Sequence, residues 1–139
     1  ELKPSLVIFH AEVEEDLVPT LNQLKQLGIK AGVALLRTTV PKSVARLIET
    51  ADHVMIFSGT LGQYGGVASL MQLEKVRLIR NIHPEVEIGW DGGAMVENIF
   101  SLSQGGIDVI NVGGAISRSD EPEAIYQRMV TEINKHGVI

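Results

Sequence analysis

A chain of 139 residues and 15.1 kDa, 45% hydrophobic and 21% charged, is long enough for one domain around one core and too apolar to stay disordered. Its net charge of -5 and pI near 5.3 exclude the basic stripe of a nucleic-acid or anionic-membrane binder. With no cysteine it builds neither a disulfide framework nor a thiolate site. No apolar run approaches the roughly 18 residues of a membrane span, and no basic-then-apolar signal segment is present, so a soluble cytoplasmic protein is expected.

The chain opens on Glu1 without a Met, and the strand-like run Ser5 to His10 follows almost at once, which leads us to expect a fragment or a processed chain. Leu17, Leu21, Leu24 and Leu27 then recur at helical spacing up to Gly28, a residue suited to a helix C-terminus. A second strand, Ala31 to Leu36, leads through a turn and Pro41 to a helix over Ser43 to Ala51, with Val44, Leu47 and Ile48 as its apolar stripe. Strand Val54 to Phe57 enters a loop holding Gly62, Gly65 and Gly66. Leu70, Leu73, Val76 and Ile79 mark a third helix, ended before Pro84. Val86 to Trp90 is a fourth strand, followed by a helix near Val96 to Gln104 that Gly105 and Gly106 terminate. Ile107 to Val112 is a fifth strand, and a last helix runs from about Pro122 to Lys135 with Ile125, Met129 and Ile133 inward.

Five βα units with continuous apolar strands predict an α/β fold whose parallel sheet is covered by helices. Two architectures satisfy this pattern, an open doubly wound sheet and a (β/α)8 barrel, the latter needing eight units and at least about 200 residues. Both bind ligands at the C-terminal ends of their strands. Both therefore put Asp91, the glycine pairs and His10 on one rim. Asp91 stands at a strand tip followed at once by Gly92 and Gly93; Val112 is followed by Gly113 and Gly114. Glycine permits close backbone approach, and successive N–H groups form an anion-binding concavity.

Phe9-His10-Ala11-Glu12, Lys30 to Leu35, the Gly65-Gly66 loop, Trp90-Asp91-Gly92-Gly93 with Glu97-Asn98-Ile99, and Val112 to Ile116 resemble, in this order, the later strands of the ribulose-phosphate 3-epimerase family. The resemblance covers nearly the whole chain. It implies a partial TIM barrel: residues 1–139 would be a single domain, the C-terminal part of a ribulose-phosphate-binding barrel, carrying strands four through eight without the first three units.

The reaction implied is epimerisation at C3 of a ketopentose phosphate, D-ribulose 5-phosphate to D-xylulose 5-phosphate, an isomerase step of the pentose phosphate pathway in carbohydrate metabolism. A proton must leave one face of C3 and another arrive on the opposite face, through an enediolate whose charge must be stabilised. In the family two aspartates flank the carbon, and a divalent metal (Zn, Fe or Mn) held by them and two histidines stabilises the oxygens. By resemblance Asp91 is the later aspartate, both acid/base and metal ligand, while Gly65, Gly66, Gly92, Gly93, Gly113 and Gly114 line the phosphate end. The other aspartate and both histidines match nothing in this chain, so the 139 residues alone are expected to bind metal weakly and not to turn over.

The chain departs from the family pattern at several points. Gly59 to Val67 replaces the usual Pro-Gly-Phe-Gly-Gly-Gln loop, Phe57 stands where a methionine over the substrate is usual, Leu36-Arg37 replaces Asn-Pro, and Gly114 replaces a serine. Two other readings stay open. One is a different phosphosugar barrel enzyme, an allulose-phosphate epimerase or hexulose-phosphate synthase; the other is a noncatalytic half-barrel interaction module. Exposed strand edges would make an isolated half barrel self-associate, so a homo-oligomer is expected.

The remaining polar residues carry plainer readings. His10 either shapes the pocket or is structural, His53 lies at the opposite end of its strand, His83 sits in a turn, and His136 suits a helix C-terminus. Glu12, Glu14, Glu15 and Asp16 are expected to complement a helix N-terminus, and Glu74, Lys75, Arg77 and Arg80 to form a solvated helix face. Trp90 is expected to point outward and pack under a helix, and Arg37 to be a solvated loop residue.

Overall fold

A computed structural model describes residues 3–62 and 66–135. Its strands are β1 (Leu6–His10), β2 (Lys30–Leu35), β3 (His53–Phe57), β4 (Glu87–Asp91) and β5 (Val109–Asn111). The helices are α1 (Val18–Gln26), α2 (Ala45–Thr50), α3 (Glu74–Ile82), α4 (Val96–Gln104), α5 (Gly114–Ser117) and α6 (Pro122–Ile133). Single 3-10 turns at Pro41–Val44 and Leu70–Leu73 lead into α2 and α3, so both expected helices begin with a tighter turn.

All five strands are parallel and lie in the order β1-β2-β3-β4-β5. A doubly wound sheet reverses its strand order at a switch point; this sheet steps the same way at every crossover, as a barrel does. The chain is thus five consecutive units of a (β/α)8-type barrel. One sheet face carries Ala31, Val33, Leu35, Val54, Ile56, Ile88 and Trp90, which pack with Leu21, Ile48, Ile79 and Leu102 from the helices into the core. Each of these side chains contributes about 1.5–3 kcal/mol by leaving water, less for alanine. Trp90 is fully buried there, as expected, and its indole N–H donates to the Gly92 carbonyl at 3.0 Å.

The opposite face, the inside of the barrel, follows from the register. Ile8 pairs with Gly32, Gly32 with His53, Met55 with Gly89, and Phe57 with Asp91. Large residues on β1 and β3 lean over small ones on β2 and β4. A methyl on Gly32 would lie 3.0 Å from Ile8 Cγ1, and one on Gly89 would fall closer than 3.0 Å to the ring of His53.

The N-terminal ends of the strands are tied by side chains. Asp52 and Asp108 each prolong a ladder: the Ala31 N–H donates to Asp52 Oδ2 at 3.0 Å and the Ile88 N–H to Asp108 Oδ2 at 2.8 Å. Lys25 of α1 pairs with Asp52 at 3.1 Å, and Arg80 of α3 with Asp108 at 2.7 Å. At the intervening seam buried His53 Nδ1 lies 2.8 Å from Glu87 Oε1. Asp108 works as a side-chain acceptor just before the strand, and β5 spans three residues rather than the six of the expected 107–112 run.

The solvated reading of the α3 charges needs correction. Arg80 also donates to the Pro84 and Val86 carbonyls. Lys75 is buried, and its ammonium donates to the carbonyls of Leu36 at 2.5 Å and Arg37 at 3.2 Å. Glu12 likewise does not serve a helix terminus: its carboxylate accepts from the Leu36 N–H at 2.8 Å and from the Thr39 hydroxyl. Asp16 does serve that role, accepting from the Val18 N–H at 3.1 Å.

Candidate functional site

The tips of β3, β4 and β5 and the loops after them surround a pocket of about 350 Å³. Its lining contains Asp91, Gly66, Gly92, Gly93, Gly113 and Gly114, together with Phe57, Asn111 and Arg118. The structure thus brings together every expected site residue that it describes; Gly65 lies outside the described residues. Asp91 ends β4 with its side chain on the barrel's inner face, flanked in register by Phe57 on β3 and Asn111 on β5.

Gly92 and Gly93 have φ of 110° and 70°, a region that favours glycine. A side chain at Gly92 would also collide with the Gly59 backbone, and one at Gly93 with the Gly66 carbonyl and the Ala68 N–H. The pair therefore wedges the β4 turn against the β3 loop, backbone on backbone. Further bonds hold the same turn. The Ser58 N–H donates to the Asp91 carbonyl at 2.7 Å, and the Ser69 N–H donates to Ser58 Oγ at 2.8 Å. Asn98 reaches back from α4, its amide donating to the Gly93 carbonyl and accepting from the Met95 N–H, both at 3.0 Å. Asp91 consequently stands on a turn tied from both sides.

His10 does not line this pocket. It packs edge-on against Phe57, which does, with ring centroids 5.8 Å apart, and its Nδ1 lies 3.5 Å from Glu12 Oε2. Among the described residues no three His, Asp or Glu side chains converge as a metal site. Asp91 is the only carboxylate in the pocket's described lining, so this lining by itself does not make up the donor set of a divalent metal.

Sequence reasoning missed Asn111 and Arg118. Asn111 had a readable signal, since it lies two residues before Gly113 near the end of an apolar run, as Asp91 lies at the tip of another. Arg118 depends on α5, a single turn that the apolar spacing does not reveal; it carries position 118 back toward position 114.

The sequence matches the Ribulose-phosphate 3 epimerase family over residues 1–117. It is 35% identical over 125 residues to the ribulose-phosphate 3-epimerase of Helicobacter pylori, covering 86% of this chain and 57% of that protein. Against the ribulose-phosphate 3-epimerase of Escherichia coli K12 it is 28% identical over 136 residues, covering 94% and 60%. The chain therefore spans less than two thirds of the length of these curated relatives. Among solved structures, 3-hexulose-6-phosphate synthase from Salmonella typhimurium superposes with a TM-score of 0.71 at 18% identity, over 96% of this chain and 63% of that one. KGPDC from Streptococcus mutans gives 0.66 at 12% identity, over 93% and 60%. Both share the fold. With the family match extending through all five strands, this chain belongs to the ribulose-phosphate 3-epimerase family.

Proposed function

We propose that this chain supplies the phosphate end and one acid/base group of a ketopentose-phosphate 3-epimerase site, converting D-ribulose 5-phosphate to D-xylulose 5-phosphate. The observation that supports this reading is the meeting of one carboxylate with three glycine-built turns in a single pocket. The backbone of Gly66, Gly92, Gly93, Gly113 and Gly114 holds the phosphate, with Gly65 in the same loop by resemblance. Asp91 takes or returns the C3 proton on one face.

Epimerisation needs a second group on the opposite face, and the pocket's described lining holds only one carboxylate. In this reading that group, and the donors that join Asp91 around a divalent metal, come from βα units completing the barrel. The edges of β1 and β5 are where such units, or a second copy in a homo-oligomer, would pair. The setting is cytoplasmic, where sugar phosphates are held.

The test is an assay of the purified 139-residue chain with D-ribulose 5-phosphate and added divalent metal. Binding without turnover is expected, with backbone amide shifts at Gly92, Gly93 and Gly113. Robust metal-dependent epimerisation by the chain alone would overturn this division of labour.

A further inference from the structure

Asp91 and Arg118 are the two charged residues in the pocket's described lining. The Arg118 N–H donates to the Gly114 carbonyl at 3.3 Å, which sets its side chain one helical turn beyond the glycine. The guanidinium lies against the bare Cα of Gly114: a methyl there would sit 2.7 Å from Nη2 and 3.0 Å from Cζ of Arg118. Gly114 replaces the serine of the family pattern, so the residue that departs from the pattern makes the space that the arginine occupies.

We propose that Arg118 is a specificity residue of this pocket, a side-chain ligand for a phosphate dianion that selects phosphorylated over neutral sugars. The proposal rests on the phosphate-end reading and adds a cation to what is otherwise a backbone cradle. That cation has work to do. The chain carries a net charge of -5 and the same pocket holds Asp91, so an entering dianion meets repulsion that backbone dipoles offset only in part. The planar fork of a guanidinium matches two phosphate oxygens at once.

The experiment is a titration of the full 139-residue chain with inorganic phosphate, with D-ribulose 5-phosphate and with unphosphorylated D-ribulose, read by calorimetry or amide shifts. Arg118→Met is expected to weaken both phosphate ligands by about 10- to 100-fold, the loss of charge-assisted hydrogen bonds, and to leave D-ribulose unchanged. Arg118→Lys should recover part of that loss. Gly114→Ser should displace the guanidinium and weaken phosphate by several-fold, an effect that disappears in the Arg118→Met background. Circular dichroism and melting establish that the Met variant is folded before its affinities are compared with the parent's. Unchanged phosphate affinity in a folded Arg118→Met chain would overturn the inference while leaving the backbone cradle standing. A Gly114→Ser loss that persists without the arginine would count against the coupling. A parent chain that binds no phosphate at all would instead overturn the phosphate-end reading beneath it.

Discussion

The two halves of the rim are fastened by different means. At β1 and β2 the loop after the strand is held by charged side chains: Glu12 takes the Leu36 N–H and Thr39 hydroxyl, and Lys75 takes the Leu36 and Arg37 carbonyls. At β3 to β5 backbone packs directly on backbone, with Gly92 and Gly93 pressed against the β3 loop, and the ties are uncharged side chains, Ser58 and Asn98. Side chains that fasten a loop also fill the space above it. Where backbone packs on backbone, the strand tips stay open, and that is where the pocket lies.

The largest effect should come from breaking the backbone-built side. Gly93→Ala combines an unfavourable φ with a collision against Ala68 and Gly66, and is expected to cost about 2–5 kcal/mol and to abolish ligand binding, measured by urea unfolding and titration. A change under about 1 kcal/mol would mean that the loop yields easily and that the contrast is weaker than drawn.

Breaking the side-chain-built half should cost less. Lys75→Met leaves two carbonyls short of a donor and is expected to cost about 1–3 kcal/mol while sparing phosphate binding. The change should also alter pH dependence. Burial lowers the Lys75 pKa below its ordinary 10.5, against the opposing pull of Glu12. Between the lowered folded value and 10.5 the unfolded chain holds more protons than the folded one, so this group makes stability rise with pH across that window. The parent should therefore gain stability relative to Lys75→Met as pH climbs toward 10.5. A constant difference between the two unfolding curves would contradict the desolvated placement of the ammonium.

The smallest effect belongs to the exposed face of the same helix. Arg77 pairs with Glu74 with both side chains more than 60% exposed, and Arg77→Ala should stay within about 0.5 kcal/mol of the parent by urea unfolding. Lys75 and Arg77 are two residues apart, so this pair of variants separates the buried from the solvated cation on one helix.

That separation also marks how far the sequence could be read. Strand positions follow from continuous apolar runs, and the tips from the glycines that end them, so Asp91 and its neighbours were legible one segment at a time. The choice between a doubly wound sheet and a barrel was not, because strand order is a relation among segments. The same limit hid Lys75: a helical run of charges looks solvated until the loop after β2 delivers two carbonyls 38 and 39 positions away in the chain. Arg118 was hidden by a four-residue helix too short to leave a pattern.

Gly32 and Gly89, on the inner face, have a mechanical consequence. On this face β2 and β4 present hydrogen atoms where Ile8 and His53 lean across. Two missing methyl groups thus leave room for the large side chains of β1 and β3 to lie over their neighbours. Adding one at Gly89 would drive it into the His53 ring and press on the seam between β3 and β4, the two strands whose tips carry Phe57 and Asp91. The setting of the carboxylate is thereby tied to a hydrogen atom two residues back along its own strand.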